Sequence, residues 1–503
     1  MAGNYYITTP IYYVNDKPHI GHAYTSIVAD CIARYHRMFG KNVHFLTGTD
    51  EHGQKVASTA EKNCMKTIEF ADYNSAKFRT MTPEFNLSND DFIRTTETRH
   101  IEAAQGFWNK LKENGYIYLS SYSGWYSVRD EAFYQESELV EGKAPTGAPV
   151  EWVEEPSYFF SLSKFEDKLL QFYEENPDFI WPKSRKNEVV NFVKSGLKDL
   201  SVSRTTFTWG VPVPGDEKHV MYVWLDALTN YISALGYPNE NAEKMQNFWP
   251  ADIHLVGKDI LRFHAVYWPA FLMAADLALP KQVVAHGWWT NEGQKISKSL
   301  GNVIDPAELV SHYGLDQVRY FMLREVPFGQ DGNYSKLSAT RRVNSELANN
   351  IGNLAQRTLT MVQKNCEGRI PVKHETHDLI KQIEELSAEY FELFESHLFH
   401  EALECIVNIG NLANAYIDEM APWKLKKENP EMMNTVLHHL IYAIRVIAIL
   451  LKPIIPNSAD KLLEIIGEDS GFISFKNLTD SLEEGKMLPL PQIVFNRIEE
   501  EAE

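Results

Sequence analysis

The sequence predicts an α/β protein: a doubly wound parallel sheet with an inserted small module and an α-helical C-terminal bundle. Three patterns predict it. A strand–helix–strand run fills the first 50 residues, a similar pattern returns over residues 222–288, and a helical period dominates after residue 340. Residues 5–12 alternate tyrosine with β-branched residues and then meet Asn15-Asp16-Lys17-Pro18, which reads as strand, loop and helix start. The helix runs over about 20–38, with Ile27, Ala29, Ile32 and Met38 facing inward. Residues 42–47 form the second strand and lead into Gly48-Thr49-Asp50-Glu51-His52-Gly53. Strand–helix–strand at this spacing is a βαβ unit of a parallel, Rossmann-like sheet, whose ligands bind at the carboxyl ends of the strands.

From about 116 to 220 the texture changes. Short aromatic and Gly/Pro-rich runs such as Ser123-Gly124-Trp125-Tyr126 and Ala144-Pro145-Thr146-Gly147 suggest an inserted module. The α/β pattern resumes at residues 222–226, then at 252–257 with a helix through Phe271, and residues 282–288 form another strand. Beyond 340, Leu347, Ile351, Leu354 and Leu359 begin a helical spacing that recurs over 380–396, 400–418 and 433–451, as in a helical bundle. The resulting segments are 1–115, 116–220, 221–290, 291–340 and 341–503.

Composition sets outer bounds. A chain of 503 residues suggests about three domains. With 44% hydrophobic and 23% charged residues it reads as an ordinary soluble protein. No apolar run reaches about 18 residues; residues 444–455 come closest, interrupted by Arg445 and Lys452 and ended by Pro453. The N-terminus lacks the basic–apolar–small order of a signal peptide, so a cytoplasmic protein without a membrane partner is expected. Cys31, Cys64, Cys366 and Cys405 are too far apart for a Cys-x-x-Cys knuckle and read as reduced thiols. A net charge of −19 argues against non-specific nucleic-acid binding, but leaves room for a local basic groove at Lys424, Lys426 and Lys427, at Arg341 and Arg342, or at Lys183, Arg185 and Lys186.

Two short motifs carry the chemistry. Pro18-His19-Ile20-Gly21-His22 opens the first helix, where free backbone N–H groups and the helix dipole favour phosphate. His19 and His22 are three apart and can donate to phosphate oxygens, while Gly21 leaves room for a flat base. Two histidines capping the helix is the plainer alternative. Lys295-Ile296-Ser297-Lys298-Ser299 follows a loop opened by Asn291-Glu292-Gly293, where glycine suggests a mobile hinge. Lys295 and Lys298 can place charge on a pyrophosphate leaving group, with Ser297 and Ser299 as small donors. In this order the motifs point to ATP split at its α-phosphate.

The pair resembles the hallmarks of class I aminoacyl-tRNA synthetases. Dinucleotide-forming nucleotidyltransferases share the first motif but are usually shorter and lack a helical module after the lysine loop. Within class I the chain resembles the methionyl-tRNA synthetase family along nearly its whole length. The matching runs are Thr9-Pro10-Ile11-Tyr12-Tyr13-Val14-Asn15, Thr47-Gly48-Thr49-Asp50-Glu51-His52-Gly53, Tyr222-Val223-Trp224-Leu225-Asp226-Ala227, Gly257-Lys258-Asp259-Ile260, Phe263-His264, Trp268-Pro269-Ala270 and Ala421-Pro422-Trp423.

This resemblance implies a methionine–tRNA ligase that activates methionine with ATP and a magnesium ion. It implies a methionine pocket of Ile11, Tyr13, Asp50, Trp224, Ala227, Tyr231, Ile260, His264 and Trp268. Aromatic and aliphatic walls suit an unbranched thioether. Tyr13 and His264 are candidates to touch sulfur, and Asp50 to hold the ammonium. An aromatic core is the alternative for the tyrosines and tryptophans. ATP would meet His19, Gly21, His22, Asp259, Lys295, Ser297, Lys298 and Ser299. The catalytic role falls to His19, His22, Lys295 and Lys298. Leu228 departs from a proline expected in some members.

On the same resemblance, 1–115 and 221–290 are halves of the catalytic domain, 116–220 the connective insertion, 291–340 the lysine-loop and stem-contact region, and 341–503 the anticodon-binding domain. Asn353, Arg357 and Trp423 would read the anticodon of methionine tRNAs, initiator and elongator, with Trp423 stacking on an unpaired base. Packing is the plainer role for that tryptophan. The insertion lacks the cysteines of relatives with zinc knuckles, so no structural zinc is expected. Its roughly 100 residues are too few for a hydrolytic editing domain, which favours methionine over isoleucine, valine or leucine. The chain ends soon after the bundle, so a monomer is expected. A class I ligase for leucine or cysteine, and a catalytically silent tRNA-binding relative, are the alternatives.

Overall fold

The central sheet is parallel throughout, in the order Tyr12–Tyr13, Asn42–Asp50, Asn4–Thr8, Ile253–Gly257, Val283–His286 and Ile180–Trp181, with Asp91–Arg94 also pairing on Asn42–Asp50. This is a computed structural model, and it describes residues 3–15, 17–296 and 302–499. The described residues form two compact units: one within 3–18 and 42–286, the other within 19–41 and 287–499.

In the first unit Asn4–Thr8 lies at the sheet centre, with Ile7 level with Phe45 on one side and Ile253 on the other. Strands buried on both faces read as continuous apolar runs, and Tyr6, Ile7, Phe45, Leu46, Leu255 and Val284 are all fully buried. The strand expected over 5–12 divides at Pro10, which has no N–H for a ladder; Asn4–Thr8 and Tyr12–Tyr13 are separate. The second strand runs to Asp50, three residues beyond expectation, because its end is paired by both Tyr12–Tyr13 and Asp91–Arg94. Residues 223–228 form a short helix, Val223–Leu228, beside the sheet rather than within it.

The segment 116–220 contributes an antiparallel sheet of Ala132–Tyr134, Ile117–Ser127, Glu151–Phe160 and Leu200–Ser201. It also gives the main sheet its edge strand, since Ile180 and Trp181 pair with Val283 and Val284.

The second unit is mainly helical. Helix Ile20–Met38 is counted with it, and Arg319 reaches Asp30 of that helix at 2.6 Å, both side chains fully buried. Tyr35 stacks on Phe394 with ring centroids 4.0 Å apart. Asp378–Glu395, Phe399–Met420 and Pro430–Leu451 are the long bundle helices expected from the period. By length and composition Pro430–Leu451 could cross a membrane, yet 89% of its most apolar window is buried inside the protein. That is the signature of a core helix, hydrophobic all round because it is surrounded.

Candidate active site

Asp50 closes its strand at the carboxyl end, and its main-chain oxygen accepts from Val14 at 3.2 Å. The side chain is only 6% exposed, and Oδ1 has no hydrogen-bond partner among the described residues. Burial raises the carboxyl pKa well above its ordinary value, and the nearby charges of Asp226 and Glu131 push it further. A hydrogen bond with the His52 backbone acts the other way, but a buried carboxylate with one oxygen unpartnered among the described residues is still costly unless a cation joins it.

The aromatic wall is built from strand ends and the helix after them. Tyr13 sits in the two-residue strand paired with Thr49 and Asp50, and its hydroxyl contacts the main-chain oxygen of His52 at 2.9 Å and the carboxylate of Glu131. Tyr231 and His264 are joined at 2.7 Å, and Nδ1 of His264 lies 3.0 Å from the Ile260 carbonyl. The carbonyl can only accept, so Nδ1 carries the proton and Nε2 accepts from Tyr231. Both sulfur candidates therefore have polar partners. Trp268 is fully buried and its indole N–H donates to Nε2 of His254 at 3.3 Å. Trp224 is half-buried and stacks on Phe263, centroids 3.7 Å apart. Ala227 and Leu228 are buried, and Ile11 and Ile260 pack partly buried against the same core. Asp259 is exposed in the turn that follows the strand Ile253–Gly257.

Sequence reasoning passed over an ionic cluster behind this wall. The Asp226 carboxylate is held by Nδ1 of His52 at 2.6 Å and Nε2 of His100 at 2.7 Å, and His100 continues to Ser233 at 2.9 Å. Burial alone would raise the Asp226 pKa, but the charge and hydrogen bonds of the two histidines hold it at about 2. The available signal was the family resemblance alone: His52 and Asp226 both stand in the matching segments. Glu131 and His254 lay outside them and carried no local signal.

The histidine motif is seated at the start of helix Ile20–Met38. His19 is the N-cap: its Nδ1 accepts from the Gly21 N–H at 3.1 Å, and Nδ1 of His22 accepts from the His19 N–H at 3.1 Å. The rings stack with centroids 3.8 Å apart. Capping and phosphate binding are thus compatible, because each neutral ring that accepts at Nδ1 carries its proton on Nε2, the atom that can donate outward. Burial and the neighbouring His19 lower the His22 pKa well below the usual imidazole range. A side chain on Gly21 would meet His19 Cε1 at 3.0 Å, so glycine lets the two rings fold over the helix start.

The lysine segment departs from the expected hinge. Gln294–Lys295 is a strand paired back on Trp289–Asn291, and the two-residue turn has positive φ at Glu292 (48°) and Gly293 (77°). That is the hairpin turn whose twist matches the strands. The strand Gly332–Tyr334 flanks it, and Asn333 accepts from the Gly293 N–H at 2.7 Å. Gly293 is therefore a tied corner. Ser297, Lys298 and Ser299, and the side chain of Lys295, lie outside the described residues.

In the bundle, Asn353 is exposed at the start of helix Asn353–Asn365, and Arg357 pairs with Asp418 at 2.7 Å. Three residues after Asp418 the chain turns at Ala421, with φ of 45°, into helix Pro422–Glu428, where Trp423 is 49% exposed. About half of the Trp423 surface faces solvent and the rest packs against the protein. Among the described residues no group of three or more His, Cys, Asp or Glu side chains could hold a metal ion.

Residues 5–149 and 145–359 match the family model of class I tRNA synthetases (M), and residues 367–503 match the anticodon binding domain of methionyl tRNA ligase. The chain is 58% identical over 509 residues to the methionine–tRNA ligase of Rickettsia felis, covering 99% of each chain. It is 54% identical to that of Brucella suis, covering 98% of each. The structure of Mycobacterium tuberculosis methionyl-tRNA synthetase in complex with methionyl-adenylate superposes with a TM-score of 0.96 at 48% identity, over 98% of this chain and 100% of that one. The chain belongs to the methionyl-tRNA synthetase family of class I tRNA synthetases.

Proposed function

We propose that this chain joins methionine to its tRNA through the residues described above. The reaction is the family's: methionine and ATP give methionyl-adenylate and pyrophosphate, and the methionyl group passes to the 3′ end of tRNA. In the first step a carboxylate oxygen of methionine bonds to the α-phosphorus and the bond to the β-phosphate oxygen breaks. In the second a ribose hydroxyl of the tRNA end attacks the carbonyl and AMP leaves.

Asp50 holds the ammonium of methionine, and Ile11, Tyr13, Trp224, Ala227, Tyr231, Ile260, His264 and Trp268 enclose its side chain. The observation that carries this is the buried Asp50 oxygen with no hydrogen-bond partner among the described residues, at a strand end lined by aromatics. His19 and His22 donate to ATP phosphates, Gly21 and Asp259 serve the adenosine side, and Lys295, Ser297, Lys298 and Ser299 serve the leaving pyrophosphate. Charge is met as it develops, so no protein nucleophile is required. Magnesium arrives on the ATP phosphates, and no step is assigned to a protein-held metal.

The proposal extends to a monomeric, cytoplasmic enzyme without structural zinc, serving initiator and elongator methionine tRNAs through Asn353, Arg357 and Trp423. The segments 1–115 and 221–290 form its catalytic domain, 116–220 its insertion, 291–340 its lysine-loop region and 341–503 its anticodon-binding domain.

The test is exchange of labelled pyrophosphate into ATP with each of the twenty amino acids, without tRNA and with a zinc chelator present. Exchange with methionine alone, indifferent to the chelator, is expected. Exchange with another amino acid overturns the pocket; loss on chelation overturns the zinc-free insertion.

A further inference from the structure

Glu131 is an odd residue to find where it is. It lies between the strands Ile117–Ser127 and Ala132–Tyr134, in a left-handed backbone with φ of 47°, and is only 5% exposed. From there it crosses to three elements of the sheet unit. Its Oε1 meets the Tyr13 hydroxyl and accepts from the Lys55 N–H at 3.2 Å, in the first turn of helix Gln54–Lys62. Its main-chain oxygen accepts from the Tyr222 hydroxyl at 3.1 Å. Gly53, with φ of 106°, leaves the gap through which this contact is made: a Cβ there would lie 2.5 Å from the Tyr13 oxygen and 2.6 Å from Glu131 Oε1.

The protons can be counted. Tyr13 has one hydroxyl proton and two acceptors in reach, Glu131 and the His52 carbonyl. The carbonyl can only accept. If Glu131 carries a proton it donates to Tyr13, Tyr13 donates to His52, and every group is satisfied. If Glu131 is ionised, Tyr13 turns its proton to the carboxylate and the His52 carbonyl loses its donor. Burial favours the protonated state and raises the carboxyl pKa to about 7, while Tyr13, the Lys55 N–H and the charges of Lys55 and Arg204 pull the other way. Glu131 and Asp226 in turn raise the pKa of Asp50, so one buried carboxylate acts on both the tyrosine and the proposed ammonium holder.

We propose that Glu131, reaching in beside Gly53, is a positioning residue of the methionine pocket: it fixes the ring and hydroxyl of Tyr13 and so sets the affinity for methionine. The proposal rests on the reading that Tyr13 lines that pocket. It makes the segment after Ile117–Ser127 part of amino-acid recognition.

The experiment is methionine-dependent pyrophosphate exchange with the full-length chain and its variants E131A, E131Q, Y13F and E131A/Y13F. E131A is expected to raise KM for methionine about tenfold, the size of one lost hydrogen bond, with kcat and KM for ATP moving less than about threefold. With its amide oxygen in the place of Oε1, Gln accepts from both the Tyr13 hydroxyl and the Lys55 N–H as the carboxylate does, so E131Q is expected to restore KM to within about threefold of wild type. In the Y13F background, E131A is expected to add less than about threefold, because the two act through one contact. A raised KM for Y13F with an unaltered KM for E131A overturns the proposal and leaves the pocket reading intact. An unaltered KM for both overturns both. Equal losses of kcat and of ATP affinity, or full additivity in the double variant, also overturn it, since they mark a general structural role.

Discussion

The hydroxyl of Tyr231 donates to Nε2 of His264 at 2.7 Å, while Nδ1 of the same ring donates to the Ile260 carbonyl at 3.0 Å. The imidazole is thereby fixed in one neutral tautomer, and burial lowers its pKa to about 4. Tyr231 is itself anchored, since its main-chain oxygen accepts from the Tyr6 hydroxyl at 2.8 Å. Removing the Tyr231 hydroxyl leaves Nε2 of a buried ring without its donor. Tyr231→Phe is expected to raise KM for methionine about fivefold to tenfold, the scale of one hydrogen bond. Pyrophosphate exchange at varied methionine measures it, and an unchanged KM refutes a role for this pair in the pocket.

Asp50 has a different difficulty: Oδ1 of its buried carboxyl has no hydrogen-bond partner among the described residues. Asp50→Asn keeps the shape and removes the attraction for an ammonium. Loss of a charge-assisted contact of about 1.5–3 kcal/mol corresponds to a fall of roughly 10- to 150-fold in kcat/KM for methionine. The melting temperature is expected to hold or rise, because a buried carboxyl whose ionisation is disfavoured by burial and by Asp226 and Glu131 has gone. A variant of full activity rules Asp50 out as the ammonium site.

Trp423 separates the two halves of the reaction. Base stacking on an aromatic ring contributes about 1–3 kcal/mol, so Trp423→Ala is expected to lower kcat/KM for tRNA charging by about 5- to 150-fold. Adenylate formation without tRNA is expected to stay as it was. Equal loss of both activities shows that the tryptophan supports the fold instead.

His264 also makes stability depend on pH. Its folded pKa is lowered to about 4, against about 6.5 in an unfolded chain. Between these values the unfolded state binds a proton that the folded state does not, so stability falls as pH falls, by up to about 1.4 kcal/mol per pH unit for this ring. Asp50 and Glu131 titrate with the opposite sign, being raised by burial, so the comparison must isolate the ring. The melting temperature of wild type minus that of His264→Gln is expected to shrink from pH 7.5 to pH 5. A constant difference contradicts the buried neutral imidazole.

Features written in local order were legible before any fold was known. Helix Ile20–Met38 was legible from its apolar spacing and the proline before it. The bundle helices were legible from their period, and the strand-end position of Asp50 from the βαβ spacing. The chemistry of the two motifs and the residues of the pocket came from residue type, position and family resemblance. Tertiary structure decided the partners. Tyr13 and Glu131 are 118 residues apart, His52 and Asp226 are 174 apart, and His100 and Asp226 are 126 apart. No local period relates such pairs, because they meet only once separate strands and helices have packed. The same holds for the edge strand Ile180–Trp181 and for Gly293, whose neighbours in sequence suggest a hinge but whose neighbours in space, Asn333 and Tyr334, make it the corner of a sheet. Which nitrogen of His264 carries the proton was settled nearer by, at the Ile260 carbonyl four residues back, while the Tyr231 hydroxyl, 33 residues away in sequence, meets the other nitrogen.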